Sequence, residues 1–216
     1  MNVLIMGGPG AGKGTASAKI VEKFSLLHIS TGDIFRSEIG KQTELGLLAK
    51  SYMDKGLLVP DEVTNPMVKS FLENQDTSKG YLLDGYPRTL AQAKVFDELV
   101  KGTNLEVELV LNLDIPFEVL TERITGRRIC KDCKEIYHIT NKPSKVDGVC
   151  DKCGGPLFQR KDDTVESLKT RLEAYSENAA PILEYYGERG IVYTVNANQT
   201  PDEVWADVVK VMEASK

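Results

Sequence analysis

One run of residues constrains this chain more than any other: Met6-Gly7-Gly8-Pro9-Gly10-Ala11-Gly12-Lys13-Gly14-Thr15. The apolar stretch Val3 to Met6 precedes it. Ala16 to Phe24 follows, with Ile20, Val21 and Phe24 at helical spacing. The pattern predicts a buried strand, a glycine-rich turn and a helix, the setting that a phosphate-binding loop requires. Glycines let several backbone N–H groups converge on one anion with no Cβ in the way. The helix N-terminus adds partial positive charge, and Lys13 adds a mobile full charge. Gly7, Gly12 and Lys13 fit the general pattern G-x-x-x-x-G-K-[ST], but Gly14 displaces the hydroxyl to Thr15. That shift leaves the usual Mg²⁺-binding part of the hydroxyl open.

The composition is that of a globular chain large enough for one substantial core with insertions: 216 residues, 41% hydrophobic and 27% charged. A net charge of −5 argues against a nucleic-acid or anionic-membrane partner. No apolar run reaches membrane-span length, and the N-terminus lacks the basic start of a signal peptide. A cytoplasmic protein is expected. Arginine is scarce, with eight residues against nineteen lysines, and seven of the eight fall in or beside the motifs described below. Lysine suffices for surface charge, whereas arginine is needed where a rigid fork grips phosphate oxygens. Arg128 and Arg189 read as ordinary surface salt-bridge residues.

Further along, Leu26 to Ile29 reads as a second strand, with His28 a packed residue. Ser30-Thr31-Gly32-Asp33 then starts a helix that carries Arg36. Leu45 to Met53 is helical and stops near Gly56, Leu57 to Val59 is a short apolar link, and Pro60-Asp61-Glu62 opens a helix to about Glu73. Tyr81 to Leu83 is a strand with Asp84 at its carboxyl end, where open α/β sheets bind ligands. An acidic residue there, beside a phosphate loop, suggests the orienting of Mg²⁺ and its water shell. Gly85 permits close backbone approach, and Arg88 and Gln92 fall one turn apart on the expected next helix. Val107 to Leu113 is a strand. Phe117 to Thr125 is a helix whose end places Arg123 and Arg127 four residues apart.

Cys130-x-x-Cys133 and Cys150-x-x-Cys153 are separated by sixteen residues. That spacing matches a four-thiolate zinc ribbon. Thioredoxin-like redox motifs are disfavoured, because neither pair is expected to follow a strand and open a helix. Four thiolates leave no open coordination position, so the metal should be structural; zinc and iron both fit the ligand set. Ile136-Tyr137 reads as part of a small hairpin, and His138 as structural. Asp163 with Glu166 reads as a capping box for a long helix to about Tyr186. Ile191 to Val195 is the last strand. Thr200-Pro201-Asp202-Glu203 caps a final helix with Val204, Trp205, Val208, Val209 and Met212 facing the core. Alternating strands and helices predict an α/β fold, a parallel sheet flanked by helices. Two insertions rise from it, one helical and one tied by metal.

Taken in order, these segments resemble the adenylate kinases, in the form with a long zinc-binding lid. The likeness runs through Gly7 to Thr15, Ser30 to Arg36, Gly56 to Asp61, Asp84 to Gln92, Arg123 to Arg128, the cysteines, and Arg160 to Arg171. Gly14 before Thr15 is usual in that family. Tyr86 stands where Phe is common and Ala16 where Gln is common, and neither is expected to touch a residue assigned to the chemistry. The resemblance implies a P-loop core of residues 1–29, 60–126 and 164–216, an insertion of 30–59 that binds the nucleoside monophosphate, and a lid of 127–163. It implies reversible phosphoryl transfer from Mg·ATP to AMP by a monomer whose partners are ATP, AMP and ADP.

The same resemblance assigns the ATP phosphates to Gly10, Ala11, Gly12, Lys13, Gly14 and Thr15. Arg123, Arg127, Ile136, Tyr137 and Gln199 complete the ATP site. AMP falls to Thr31, Arg36, Leu57, Leu58, Val59, Gly85, Tyr86, Pro87, Arg88 and Gln92, with Arg160 and Arg171 bridging toward the transferred group. Lys13, Arg88, Arg127, Arg160 and Arg171 are the catalytic set. Asp84 and Asp33 order water on Mg²⁺, and Cys130, Cys133, Cys150 and Cys153 hold structural Zn²⁺.

Overall fold

A computed structural model describes residues 1–215. The chain begins with strand β1 (Asn2–Gly7), helix α1 (Lys13–Phe24) and β2 (Leu27–Ser30). Helices α2 (Thr31–Lys41), α3 (Glu44–Met53) and α4 (Asp61–Glu73) follow, then β3 (Tyr81–Asp84), α5 (Leu90–Val100), β4 (Leu109–Asp114) and α6 (Phe117–Thr125). Three short strands come next, β5 (Arg127–Cys130), β6 (Ile136–His138) and β7 (Leu157–Phe158). The chain closes with α7 (Val165–Gly187), β8 (Val192–Asn196) and α8 (Pro201–Ala214).

Among the described residues, five parallel strands form one sheet in the order β2-β3-β1-β4-β8. Side chains alternate across it. Val3 and Ile5 join Ile20, Val208 and Met212 on the face covered by α1 and α8. Leu4 and Met6 join Val68, Phe96, Ile182 and Tyr186 on the face covered by α4, α5 and α7. A sheet buried on both faces accounts for the unbroken apolar runs of β1 and β4. The carboxyl ends of β1, β2 and β3 lead into the glycine loop, α2 and the Asp84–Arg88 segment, so three motifs that are far apart in sequence meet at one sheet edge.

The α2–α3 pair has its own small core of Phe35, Ala49 and Val59. It crosses tightly at Gly46, where a Cβ would stand 2.2 Å from the Glu38 carbonyl oxygen. In the second insertion, β6-β5-β7 form an antiparallel sheet. Its buried cluster is Cys130, Tyr137 and Cys150.

Several local expectations change. Asp163 does not cap α7. Thr164 does, its hydroxyl accepting from Ser167 N–H at 3.2 Å, because the Asp163 carboxylate turns inward to Arg127. Helix α6 has the expected bounds, with Arg127 just past its end. That helix ends at Thr125, Gly126 caps it, and Arg127 opens β5. Arg88 lies before α5, whose cap is Thr89. Cys130 closes a strand, though no helix opens after it. On α8, Val211 rather than Val209 packs against the core, while Thr200 and Glu203 make the expected capping box. Arg128 donates to the Thr125 and Arg127 carbonyls instead of pairing with a carboxylate. Arg189 pairs with Asp97 at 2.9 Å.

Candidate active site

The loop after β1 is built to leave donors free. Gly7, Gly10 and Gly12 have φ of 143°, 88° and 95°, the region where a side chain is strained. Gly12 caps α1 without a side-chain hydrogen bond, and the first turn of α1 holds no acidic residue. The N–H groups at that end are available to an anion. Lys13 folds back on the loop, its Nζ donating to the carbonyls of Gly7 at 2.7 Å and Gly8 at 3.0 Å. Burial pushes its ammonium down to about 8. Asp84 opposes that shift, and Arg88, Arg171 and Arg127 add to it.

With Arg36 and Arg160, those arginines come from five segments. Arg88 follows β3 and donates from Nε to the Gly85 carbonyl at 2.7 Å. Arg36 on α2 pairs with Asp33, Nε to Oδ1 at 3.2 Å, and Arg160 approaches the same carboxylate at 3.7 Å. Arg171 on α7 pairs with Asp162 at 3.1 Å. Arg127 donates from Nε to Asp163 at 2.9 Å and from its terminal nitrogen to the other carboxylate oxygen. Burial pushes Arg88 and Arg160 down to about 10, with Arg171 crowding the first and Arg36 and Arg127 the second. Burial lowers Arg171 as well. Burial favours a neutral Asp33, but Arg36 and Arg160 outweigh it and hold that carboxyl below its usual range.

Six cations, Lys13 and Arg36, Arg88, Arg127, Arg160 and Arg171, thus converge on four carboxylates, Asp33, Asp84, Asp162 and Asp163. Among the described residues, the Arg160 Nε is buried without a hydrogen-bond partner. The surplus positive charge and the unused donor suit a polyanion bearing several phosphates.

Two parts of the protein close over this cluster. Ile136 of the β5–β6 hairpin lies against the loop, its Cδ1 3.0 Å from where a Cβ on Gly14 would stand. A side chain at Gly14 would press on the tip of Ile136. Gly56 packs likewise against Ser167 and Arg171 on α7. A pocket opens between α2, the Leu57–Val59 link and the segment after β3, lined by Thr31, Leu58, Val59, Gly85, Arg88 and Gln92 among others. Thr31 donates to the Gly85 carbonyl at 2.9 Å. Gly85, at φ 80°, has no room for a Cβ between Thr31 and Arg88. The Tyr86 hydroxyl lies 3.3 Å from the Gln92 carbonyl oxygen and donates to Asn65 at 2.7 Å. On the far side, Arg123 donates to the Ala197 carbonyl at 3.1 Å, and Gln199 binds Asp207 through its side chain. Asp162 and Asp163 were missed as site residues. Acidic residues ahead of a helix look like caps, and their arginine partners are not their sequence neighbours.

The four cysteines come together as free thiols, with all Sγ atoms within 4.8 Å of one another. Cys130 and Cys153 are 3.5 Å apart, and Cys133 and Cys150 are 3.6 Å apart. A disulfide would need about 2.05 Å. A tetrahedron with metal–sulfur bonds of about 2.3 Å has sulfur–sulfur edges of about 3.8 Å. The donor set and its spacing fit a metal ion. Two of the three buried residues in the cluster beside this small sheet are cysteines, so bound metal would stand in for a hydrophobic core.

A family model described as Adenylate kinase matches residues 5–191. The chain belongs to the adenylate kinase family. It is 50% identical over 212 residues to an adenylate kinase of Thermoanaerobacter sp. strain X514, covering 98% of each chain. It is 49% identical to one of Clostridium botulinum strain Loch Maree over the full length of both. It is 51% identical over 218 residues to one of Streptococcus thermophilus strain CNRZ 1066, again over the full length of both. The sheet and glycine loop are those of the P-loop NTPase fold of adenylate kinase. The enzyme reversibly transfers the terminal phosphoryl group of Mg-ATP to AMP, giving two ADP, and so balances the adenine nucleotides. No helix among the described residues is long and apolar enough to cross a membrane.

Proposed function

We propose that the six-cation cluster is the phosphoryl-transfer site and that each flanking segment holds one part of the two nucleotides. Gly10 to Thr15 cradle the ATP phosphates, and Lys13 leaves the Gly7 and Gly8 carbonyls to follow the transferred group. Arg127, the Ile136-Tyr137 backbone and the backbone near Gln199 complete the ATP site, with Arg123 against the adenine. AMP takes the pocket of Thr31, Leu57 to Val59, Gly85 to Pro87 and Gln92, with Arg36 and Arg88 on its phosphate. Arg160 and Arg171 reach across to the group in flight. Asp84, and Asp33 once its arginines turn to phosphate, orient water on the Mg²⁺ that arrives with ATP.

Phosphoryl transfer asks little covalent work of a protein. The phosphate nucleophile is already ionised, so positioning and charge neutralisation dominate. Exclusion of water is equally important, because hydrolysis of ATP competes. Residues 127–163 and 30–59 act as a lid and an acceptor-binding insertion on a core of 1–29, 60–126 and 164–216. Closure of both completes the site only around substrate. Cys130, Cys133, Cys150 and Cys153 hold Zn²⁺, which supplies stiffness to the lid and no chemistry. The enzyme works as a monomer in the cytoplasm, where reducing conditions keep the four thiolates free to bind metal.

The surplus of buried positive charge is the observation that carries this reading. Its test is Arg88→Lys, which keeps the charge and loses the bidentate fork. Turnover should fall by at least ~10²-fold, the scale for losing a preorganised donor, with the melting temperature little changed. Nearly full activity would remove Arg88 from the phosphate site.

A further inference from the structure

Gln92 is 2% exposed at the pocket wall, and both ends of its side-chain amide are engaged. Its Oε1 accepts from the Arg88 backbone N–H at 2.6 Å. Its Nε2 donates to Oδ1 of Asp61, the first residue of α4, at 2.6 Å. A backbone N–H can only donate and a carboxylate can only accept, so these two partners fix which end of the amide is oxygen and which is nitrogen. Turning the amide over would set its NH₂ against the Arg88 N–H and its oxygen against the Asp61 carboxylate. Asp61 is held in turn, its Oδ2 3.4 Å from the Thr89 hydroxyl, which caps α5 by accepting from Gln92 N–H at 3.1 Å.

We infer that Asp61 is a positioning residue that locks the Gln92 amide in one orientation and thereby sets the acceptor pocket against nucleobases with an oxo group where adenine has an amino group. With both partners engaged, the amide keeps one lone pair on Oε1 and one N–H on Nε2. Adenine offers the complement, an amino N–H beside a bare ring nitrogen. Hypoxanthine and guanine offer the inverse, a carbonyl oxygen beside a ring N–H, and would require the turned amide. The lock does not separate adenine from cytosine, whose amino edge has the same sense. The inference depends on the proposed placing of the AMP base in this pocket.

Inosine monophosphate is the probe, because it matches AMP in size and differs at the six position and its neighbour. Specificity constants for AMP and inosine monophosphate are measured with wild type, Asp61→Asn, Asp61→Ser and Gln92→Leu, each checked for folding by its melting curve. Asp61→Asn and Asp61→Ser should lower the constant for AMP and raise it for inosine monophosphate. The ratio should fall at least about tenfold, the scale of a charge-assisted hydrogen bond that no longer resists the turn. A merely structural role would lower both constants together. A ratio unchanged in both Asp61 variants, with AMP use lost in Gln92→Leu, overturns the lock and keeps the pocket. AMP use unchanged in Gln92→Leu overturns the placing of the base itself.

Discussion

The pair between Arg127 and Asp163 joins the start of β5 to the residue before the Thr164 cap of α7. The Asp163 side chain is fully buried and that of Arg127 is 17% exposed. Gln159 reinforces the junction by donating to the Asp163 and Thr125 carbonyls. Replacing Asp163 with Ala strands a mostly buried guanidinium. Breaking a buried pair by removing one partner costs about 3–5 kcal/mol, and the residual exposure of Arg127 places this case near the lower end. For a chain of this size each kcal/mol lowers the melting temperature by about 2–4 °C, so a loss of roughly 6–12 °C is expected. Replacing both, as Arg127→Met with Asp163→Leu, removes the stranded charge and should recover most of the stability. Urea denaturation of wild type, both single variants and the double variant gives the coupling energy, provided the slope with urea is constant. A coupling of at least about 2 kcal/mol is expected. A value below about 0.5 kcal/mol, the scale of an exposed pair, would refute the reasoning, because it would mean that water reaches the junction freely.

Proton uptake tests the electrostatics of the cation cluster. With the Lys13 ammonium pushed down to about 8 by burial, binding of ATP at pH 9 should draw in close to one proton, and far less at pH 7. Calorimetry in buffers of different ionisation enthalpy reads this directly, and no uptake at pH 9 would contradict the burial of Lys13. The same depression opposes folding of the empty enzyme below about pH 8, and the penalty fades as pH rises toward the ordinary lysine value. Stripping metal from the four thiolates should lower the melting temperature and loosen the lid first, since local stability varies within one structure. Activity assayed cold with excess Mg²⁺ should survive; its disappearance with an unchanged melt would show that the metal is catalytic.

What the sequence made legible was local. The glycine loop, Asp84 at a strand end, the Thr200 capping box and the paired cysteines each declare themselves within a few residues, and each forms as expected. One misreading comes from competition by a distant partner. Asp163 has the composition of a helix cap, but Arg127, thirty-six residues away, claims its carboxylate and Thr164 takes the cap. Helix α6 stops at Thr125 as expected, and pairing of β5 with β6 makes Arg127 a strand residue. The contact of Ile136 with Gly14 and the hold of Asp61 on Gln92 also join segments with no shared sequence pattern. Such pairings are set by topology, and only the folded chain displays them.

The central claim is that this cluster passes a phosphoryl group between nucleotides while keeping water out. Purified protein incubated with Mg²⁺ and ADP alone, followed by phosphorus NMR, tests it most directly. ATP and AMP should appear in equal amounts with no orthophosphate. Orthophosphate rising as ATP fails to accumulate would contradict the account, because water rather than AMP would then be the acceptor.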